Sequence, residues 1–221
     1  MQNQSNSTSH PIVIIADSLG LPRDEPELIQ ALDTYPALLN KKYGGVINCA
    51  YGYSSSKHVL WQARYFKGQT VSGTYVFHFG IVDCTPRVLS SLESYVLNFI
   101  KVRLPDGLAR FIRNHRLIRK ISPSQFQSNC EAIKDLELGK IIIIPIAPAS
   151  DDFELLAPGV QESVTEYNAI LKTVFQESYC NVNLDVTTDI SVDCHHLTSA
   201  GHKRVFDAIS MQIDTNSLEA E

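Results

Sequence analysis

Short runs of apolar and β-branched residues alternate with helix-like patterns along most of this 221-residue chain. Continuous apolar runs are typical of strands that are buried on both faces of a parallel sheet. The pattern predicts strands at Ile12–Ile15, Gly45–Asn48, Thr74–Phe79, Ile141–Ile144 and Val182–Val186. Because helical segments separate these strands, we expect a mainly parallel sheet with helices on both faces.

The segments between these strands carry apolar residues at helical spacing. The pattern from Leu28 to Leu39 predicts a helix that Pro36 breaks or kinks. Further helices are predicted around residues 124–133, 164–175 and 205–213. No repeat or linker divides the chain, so we expect one domain over residues 11–215, preceded by a loosely ordered polar tail over residues 1–10.

Composition excludes several classes of protein. The formal charge of −5 argues against a general nucleic-acid binder. The chain has no run of apolar residues long enough to cross a membrane, and its first ten residues lack the apolar region of a signal peptide. The five cysteines are an odd number without a CxxC pair. Free thiols and a cytoplasmic protein are therefore expected.

A serine follows the first predicted strand, in Ala16-Asp-Ser-Leu-Gly20. Ligands of parallel sheets bind beyond the carboxyl ends of the strands, so such positions are candidates for function. A serine on this turn can hold its hydroxyl near the N–H groups of the next helix, which stabilise negative charge. The same residues also fit a helix N-cap, with Asp17 or Ser18 as the capping residue. The motif alone does not decide between these interpretations.

The segment Asp193-Cys-His-His196 lies between the last predicted strand and the last helix. A carboxylate three residues before a histidine can hold the imidazole in the tautomer that a nucleophilic serine needs. His195 is a rival base, and the spacing from Asp193 favours His196. A polar loop, or a metal site made from Cys194, His195 and His196, is the alternative. Because neighbouring residues rarely point at a single ion, we expect no metal and no other cofactor.

Together with two further motifs, these segments resemble the ordered sequence blocks of the SGNH/GDSL hydrolase family. The turn with Ser18 resembles the GDSL block, and Asn48-Cys-Ala-Tyr-Gly52 resembles the second block. Gly80-Ile-Val-Asp83 stands where the third block belongs, and residues 193–202 resemble the terminal Asp-x-x-His block. The four motifs occur in the order of the family and span nearly the whole chain.

The resemblance implies a flavodoxin-like three-layer α/β/α sandwich with a central, mainly parallel five-stranded sheet. It also implies that an ester, such as an O-acetyl group on a small molecule or carbohydrate, is hydrolysed through an acyl-enzyme. Ser18 would be the nucleophile, His196 the general base, and Asp193 the residue that orients it. The N–H groups of Ser18 and Gly52 would form the oxyanion hole, to which the position of Asp83 also belongs.

One position departs from the family pattern. The family has asparagine where this chain has Asp83 or, in another alignment, Val82. Asparagine donates a hydrogen bond to the oxyanion, an ionised aspartate does not, and loss of such a donor lowers turnover by on the order of 10²–10³. Burial could keep Asp83 protonated, Arg87 could neutralise it or donate instead, or Asp83 could point away and serve the structure. A non-catalytic glycan- or partner-binding protein and an acyltransferase with the same triad therefore remain alternatives.

The segment from Arg87 to Lys120 is basic, with eight Lys and Arg against two acidic residues, a net charge of +6. Its apolar positions predict two helices hinged at residues 105–107, so residues 87–122 form a helical basic insertion. This insertion either attracts an anionic substrate or is a solvated helix face. The run 80–87 also resembles a block variant that is associated with bacterial surface-polysaccharide and other sugar-modifying genes. Residues expected to contact the substrate are Asp17, Arg87, Tyr51 and Tyr53. The oligomeric state is not predicted.

Overall fold

The computed structural model describes residues 11–68, 73–89, 105, 107, 112, 116 and 118–218. Its sheet consists of four parallel strands in the order β2-β1-β3-β4. Their bounds are Ile12–Ala16 for β1, Val46–Asn48 for β2, Gly73–His78 for β3 and Gly139–Ile144 for β4. The first four predicted strands are therefore confirmed.

Helices cover the sheet in two groups. The bounds are Tyr35–Tyr43 (α1), Ser56–Phe66 (α2), Ile81–Cys84 (α3), Pro123–Lys134 (α4), Asp151–Leu156 (α5), Val160–Phe175 (α6) and Ser199–Leu218 (α7). Helix α1 packs against α7, whereas α4 packs against both α2 and α6. The predicted three-layer α/β/α fold with a parallel sheet is confirmed.

The core lies on both faces of the two central strands. All five residues of β1 are buried, as are five of the six residues of β3. Strands in this position need apolar side chains on both faces, which accounts for the continuous apolar run in place of an alternating pattern. The carboxyl ends of these two strands carry Asp17 and Phe79 into the loops that follow.

The fifth strand, expected over Val182–Val186, does not form in the described part of the chain. One bridge pairs Tyr179 with Ile143 beside β4, and the N–H of Cys180 donates to the carbonyl of Ile143 at 2.8 Å. Beyond this point, the N–H of Val182 donates to Cys180 O at 3.1 Å. The segment thus uses the N–H of Val182 for a hydrogen bond within itself, whereas a strand would direct such an N–H to the neighbouring strand.

Pro36 does not break a helix, so the expectation at this residue is wrong. It occupies the first turn of α1, where its missing N–H has no partner to lose. The residues from Leu28 to Leu32 precede this helix, and those two leucines are 60% and 78% exposed. Their spacing matched a helix, but among the described residues no element covers these two side chains.

The N-terminal tail and the two helices expected between residues 88 and 118 lie outside the described residues. At the base of the basic segment, the N–H of Arg87 donates to Ile118 O at 2.7 Å. This bond brings the two ends of the segment together. Among the described residues, no helix combines the length and the apolar character that crossing a membrane requires.

Candidate active site

Ser18 lies on a single 3₁₀ turn, Ser18–Gly20, directly after β1. Asp17 caps this turn, because its Oδ1 accepts a hydrogen bond from the N–H of Leu19 at 3.0 Å. The turn packs closely, since a Cβ on Gly20 would lie 2.8 Å from the Cβ of Ala50. The capping residue is therefore Asp17, and the hydroxyl of Ser18 is available for another partner.

The hydroxyl of Ser18 meets an imidazole from the other end of the chain. Ser18 Oγ lies 2.9 Å from His196 Nε2, and His196 Nδ1 lies 2.6 Å from Asp193 Oδ2. When Nδ1–H donates to the Asp193 carboxylate, Nε2 carries the lone pair that accepts the proton of Ser18. The structure thus brings together the three residues that were predicted to be catalytic.

The loop that carries Asp193 and His196 is held by its own hydrogen bonds. Asp193 Oδ1 accepts from the N–H groups of His195 and His196, at 3.3 and 3.1 Å. The N–H of Ser191 donates to His196 O at 2.8 Å, which closes the loop. Cys194 adopts a left-handed conformation with φ of 69°. The aspartate therefore both shapes the turn and orients the imidazole.

Arg23 also contacts this loop, and no sequence motif predicts this contact. Its Nη1 lies 3.7 Å from Asp193 Oδ2, and its Nη2 donates to Leu197 O at 3.1 Å. These contacts join the loop after β1 to a segment more than 160 residues away. The guanidinium compensates the charge of the Asp193 carboxylate and restrains its position.

His195 is oriented differently from His196. Its Nδ1 lies 2.7 Å from the backbone oxygen of Asp193, and its ring stacks on Phe153 with centroids 6.0 Å apart. No hydrogen bond joins His195 to Ser18 within the described residues. The geometry therefore favours His196 as the base.

Asp193, His195 and His196 each offer one possible metal-ligand atom, and these atoms lie within 4.8 Å of one another. The ring of His196 already uses both nitrogens, one at Asp193 and the other at Ser18. A metal ion would have to displace one of these hydrogen bonds. Cys194, which the alternative metal site required, does not belong to this group.

Asp83 is fully buried and directed at the first turn of α2. Its two oxygens accept from the N–H of Ser56 at 3.1 and 2.9 Å, and Ser56 Oγ donates to Oδ1 at 3.0 Å. Asn129 Nδ2 donates to Ser56 Oγ at 2.8 Å. Burial raises the pKa of Asp83 to about 7, against the lowering effect of these hydrogen bonds and of Lys120 and Arg87. Of the three alternatives, these contacts favour the structural role.

A cavity of about 300 Å³ opens beside Ser18. Its lining is largely apolar and consists of Ser18, Tyr53, Ile81, Val82, Thr85, Arg87, Phe153, His195 and His196. Two larger clefts, of about 650 and 760 Å³, flank residues 179–183 and contain none of the predicted site residues. The small cavity is the one that a substrate of Ser18 would occupy.

The expected substrate contacts are only partly placed at this cavity. Arg87 and Tyr53 line it, whereas Tyr51 does not. The expectation for Asp17 is wrong, because this residue is fully buried beneath the turn of Ser18 and cannot reach a substrate. Of the two positions that align with the asparagine of the family, Val82 faces the cavity and Asp83 does not.

The two backbone donors expected in the oxyanion hole lie on adjacent loops. The N–H of Tyr51 donates to Ala16 O at 3.0 Å, which holds the loop with Gly52 against the turn with Ser18. Within the described residues, neither the N–H of Ser18 nor that of Gly52 donates to another protein group. Both are therefore available to a ligand.

A buried polar cluster lies beside Asp17. Among the described residues, Asp17 Oδ2, the hydroxyl of Tyr35 and both ring nitrogens of His78 lack a hydrogen-bond partner. Burial and the charge of Asp83 raise the pKa of Asp17 to about 7, whereas burial lowers the pKa of His78 to about 3. Burial also lowers the pKa of His202, to about 4. Burial thus disfavours the charged form of each of these three groups.

No model of a known protein family and no curated protein matches this sequence. Solved structures do match. A lipase/acylhydrolase from Enterococcus faecalis is 14% identical with a TM-score of 0.62, over 93% of this chain and 96% of that one. A GDSL-like lipase from Bacteroides thetaiotaomicron is 12% identical with a TM-score of 0.58, over 95% and 90% of the two chains.

An acetyl xylan esterase from Geobacillus stearothermophilus is 16% identical with a TM-score of 0.58, over 92% of this chain and 94% of that one. These similarities extend over nearly the full length of both partners. The chain therefore has the fold of the SGNH/GDSL hydrolases, as its sequence motifs predict. At such low identities the comparison establishes the fold, and the chemistry has to be argued from the site itself.

Proposed function

We propose that this protein is a serine hydrolase of the SGNH/GDSL type that cleaves an ester through an acyl-enzyme. The observation that carries the proposal is the chain of two hydrogen bonds from Ser18 through His196 to Asp193, at 2.9 and 2.6 Å. A helix cap or a polar loop would need neither contact. Ser18 and His196 are 178 positions apart in the sequence, and the structure has the sequence of contacts from hydroxyl to imidazole to carboxylate that nucleophilic catalysis requires.

In the proposed mechanism, His196 Nε2 takes the proton of Ser18 as Oγ attacks the ester carbonyl carbon. The carbonyl oxygen becomes an oxyanion that accepts hydrogen bonds from the N–H groups of Ser18 and Gly52. The intermediate then expels the alcohol, which receives the proton from His196. Water attacks the acyl-enzyme with the same base, and the acid and Ser18 are released.

We propose an O-acetyl ester of a small molecule or carbohydrate as the substrate, since one structural neighbour is an acetyl xylan esterase. The cavity of about 300 Å³ beside Ser18 has room for such an ester. We expect slow turnover, since Val82 offers no side-chain donor to the oxyanion. Five free thiols, four of them buried, support a cytoplasmic location.

The test is covalent labelling of Ser18 by a fluorophosphonate probe, together with hydrolysis of p-nitrophenyl acetate. Ser18→Ala should lose both, whereas Ser124→Ala, which changes an exposed serine on α4, should keep both. Hydrolysis that persists unchanged in Ser18→Ala would refute the proposal. Labelling with transfer of the acetyl group to an added sugar would identify an acyltransferase. Absence of labelling and of turnover over a broad ester panel would leave a binding protein with this fold.

A further inference from the structure

We propose that the ester substrate carries an anionic group, which Arg87 binds at the rim of the cavity beside Ser18. This inference rests on the proposed function and specifies the substrate class. It assigns Arg87 a role in specificity, apart from the bond-breaking step.

The cavity combines an apolar wall with one permanent cation. Ile81, Val82 and Phe153 form much of the wall, and Arg87 is the only Lys or Arg among the described residues that line it. An apolar wall accepts the hydrocarbon part of an acyl or alcohol group. A guanidinium at the rim binds a carboxylate or phosphate through paired N–H donors.

The backbone of Arg87 is held in place, and its side chain is available to bind a ligand. Its N–H donates to Ile118 O at 2.7 Å, while the residue is exposed. Within the described residues, the guanidinium contacts no carboxylate. By contrast, Arg119 pairs with Glu166 at 2.8 Å and accordingly has its charge compensated. In this part of the chain, Arg87 therefore presents to the cavity a guanidinium that is not paired with a carboxylate.

A second cation lies near Arg87. Lys120 Nζ donates to the carbonyl of Tyr53, another lining residue, at 3.1 Å. Burial and the charge of Arg87 lower the pKa of Lys120. Two neighbouring cations destabilise each other, and an anion bound at this rim relieves that repulsion.

The acidic groups nearby form no ion pair with Arg87 among the described residues. Asp83 directs its carboxyl at Ser56, and burial raises its pKa to about 7, which disfavours its charged form against the opposing charges of Lys120 and Arg87. Next to Phe153, both oxygens of Glu154 accept backbone N–H groups at the start of α6, from Gly159 and from Gln161. Both carboxyl groups are therefore engaged with other partners, and neither pairs with Arg87.

The experiment compares matched esters that differ in one charge. On the acyl side, p-nitrophenyl hydrogen succinate is compared with its methyl ester. On the alcohol side, para-acetoxybenzoate is compared with methyl para-acetoxybenzoate. The ratio of kcat/KM for the anionic and the neutral member is measured after subtraction of spontaneous hydrolysis, and the pair that shows a preference identifies the side that carries the anion.

We expect the wild type to prefer the anionic member of at least one pair by about tenfold, and added salt to reduce this preference. Arg87→Gln should abolish the preference, and Arg87→Lys should retain part of it. Arg64→Gln removes the same charge from an exposed site on α2 and should retain all of it. Each variant is compared by this ratio, so a general loss of folding does not imitate the effect.

Hydrolysis of the neutral esters without any anionic preference would overturn the inference and leave the proposed function intact. The same holds if Arg87→Gln slows both members of a pair equally, which would assign Arg87 to the oxyanion. Absence of hydrolysis for all four esters would overturn the proposed function, and the inference with it.

Discussion

Both carboxylate oxygens of Asp83 accept the backbone N–H of Ser56, at 3.1 and 2.9 Å. Ser56 is the first residue of α2, where an acidic group satisfies a free N–H and interacts favourably with the helix dipole. The loop that carries Gly52 leads directly into this helix start. Asp83 therefore supports the loop with Gly52 and does not line the cavity beside Ser18.

This arrangement predicts that Asp83→Asn does not restore a fast hydrolase. An asparagine at this position would still face Ser56, so its amide would not reach the oxyanion. We expect kcat for p-nitrophenyl acetate to change by less than about threefold, whereas a true oxyanion donor changes it by on the order of 10²–10³. Asp135→Asn, at an exposed position, controls for the loss of charge. A hundredfold gain from Asp83→Asn would show that this side chain does face the oxyanion.

The two adjacent histidines should differ sharply in their effect on activity. His196→Gln removes the proposed base and should lower kcat by on the order of 10³ or more. His195→Gln removes a ring that contacts Asp193 O, Phe153 and the ring of His196. Because both hydrogen bonds of His196 remain, we expect a loss within about tenfold. Initial rates with p-nitrophenyl acetate test this, with circular dichroism to verify folding. A larger loss from the change at His195 would contradict the assignment.

Asp17 should make the folded state less stable as the pH rises. In the folded protein, burial raises its pKa to about 7, whereas the ordinary value is 3.8. The folded state thus holds a proton that the unfolded state has lost, so this contribution declines between about pH 4 and 7 and stays low above that range. Asp17→Asn keeps an oxygen for the N–H of Leu19 and cannot ionise.

We therefore expect Asp17→Asn to be more stable than the wild type at pH 8, by roughly 1–4 kcal/mol, and the difference to shrink at pH 5. Urea unfolding at the two pH values measures the free energies. Asp135→Asn, which changes an exposed carboxyl, should follow the wild type. If the stability of Asp17→Asn depends on pH as strongly as that of the wild type, Asp17 does not titrate in this way.

Local patterns in the sequence predicted the four strands and the residues that follow them. The apolar runs at Ile12 and Ile141 need burial on both faces, and parallel strands bring their carboxyl ends to one edge. That reasoning, together with the family resemblance, predicted that Ser18 and His196 would meet. The strand prediction failed at Val182. A short apolar segment joins a sheet only if it forms hydrogen bonds with a neighbouring strand, and the periodicity of a sequence does not show these bonds.

The residues that support the site could not be predicted from the sequence. Arg23 contacts Asp193 across most of the chain, and Asn129 reaches Ser56 from another helix. Neither lies in a motif, since each acts through a contact that exists only after the layers have packed. The expectation that Asp17 contacts the substrate fails for a related reason. The turn of Ser18 buries Asp17, and its position in the sequence beside the candidate nucleophile does not indicate this burial.

The start of α7 leaves no space for a side chain at Gly201. An added Cβ would clash with the carbonyl oxygen of Asp189, and it would lie 3.1 Å from the carbonyl carbon. This carbonyl cannot easily move away, because it accepts the N–H of Thr198 at 2.9 Å and the side chain of Asp189 pairs with Arg204 at 2.5 Å. Gly201→Ala must therefore displace the helix from the loop that precedes it.

We expect Gly201→Ala to lower the free energy of unfolding by about 2–3 kcal/mol and Tm by about 5–10 °C. Because Asp193 and His196 lie on the loop before this helix, hydrolysis of p-nitrophenyl acetate should fall as well, even below Tm. Thermal unfolding and initial rates measure the two effects. Ser199→Ala changes an exposed residue two positions earlier and should alter neither. A variant Gly201→Ala as stable and as active as the wild type would mean that α7 does not approach Asp189 so closely in the folded protein.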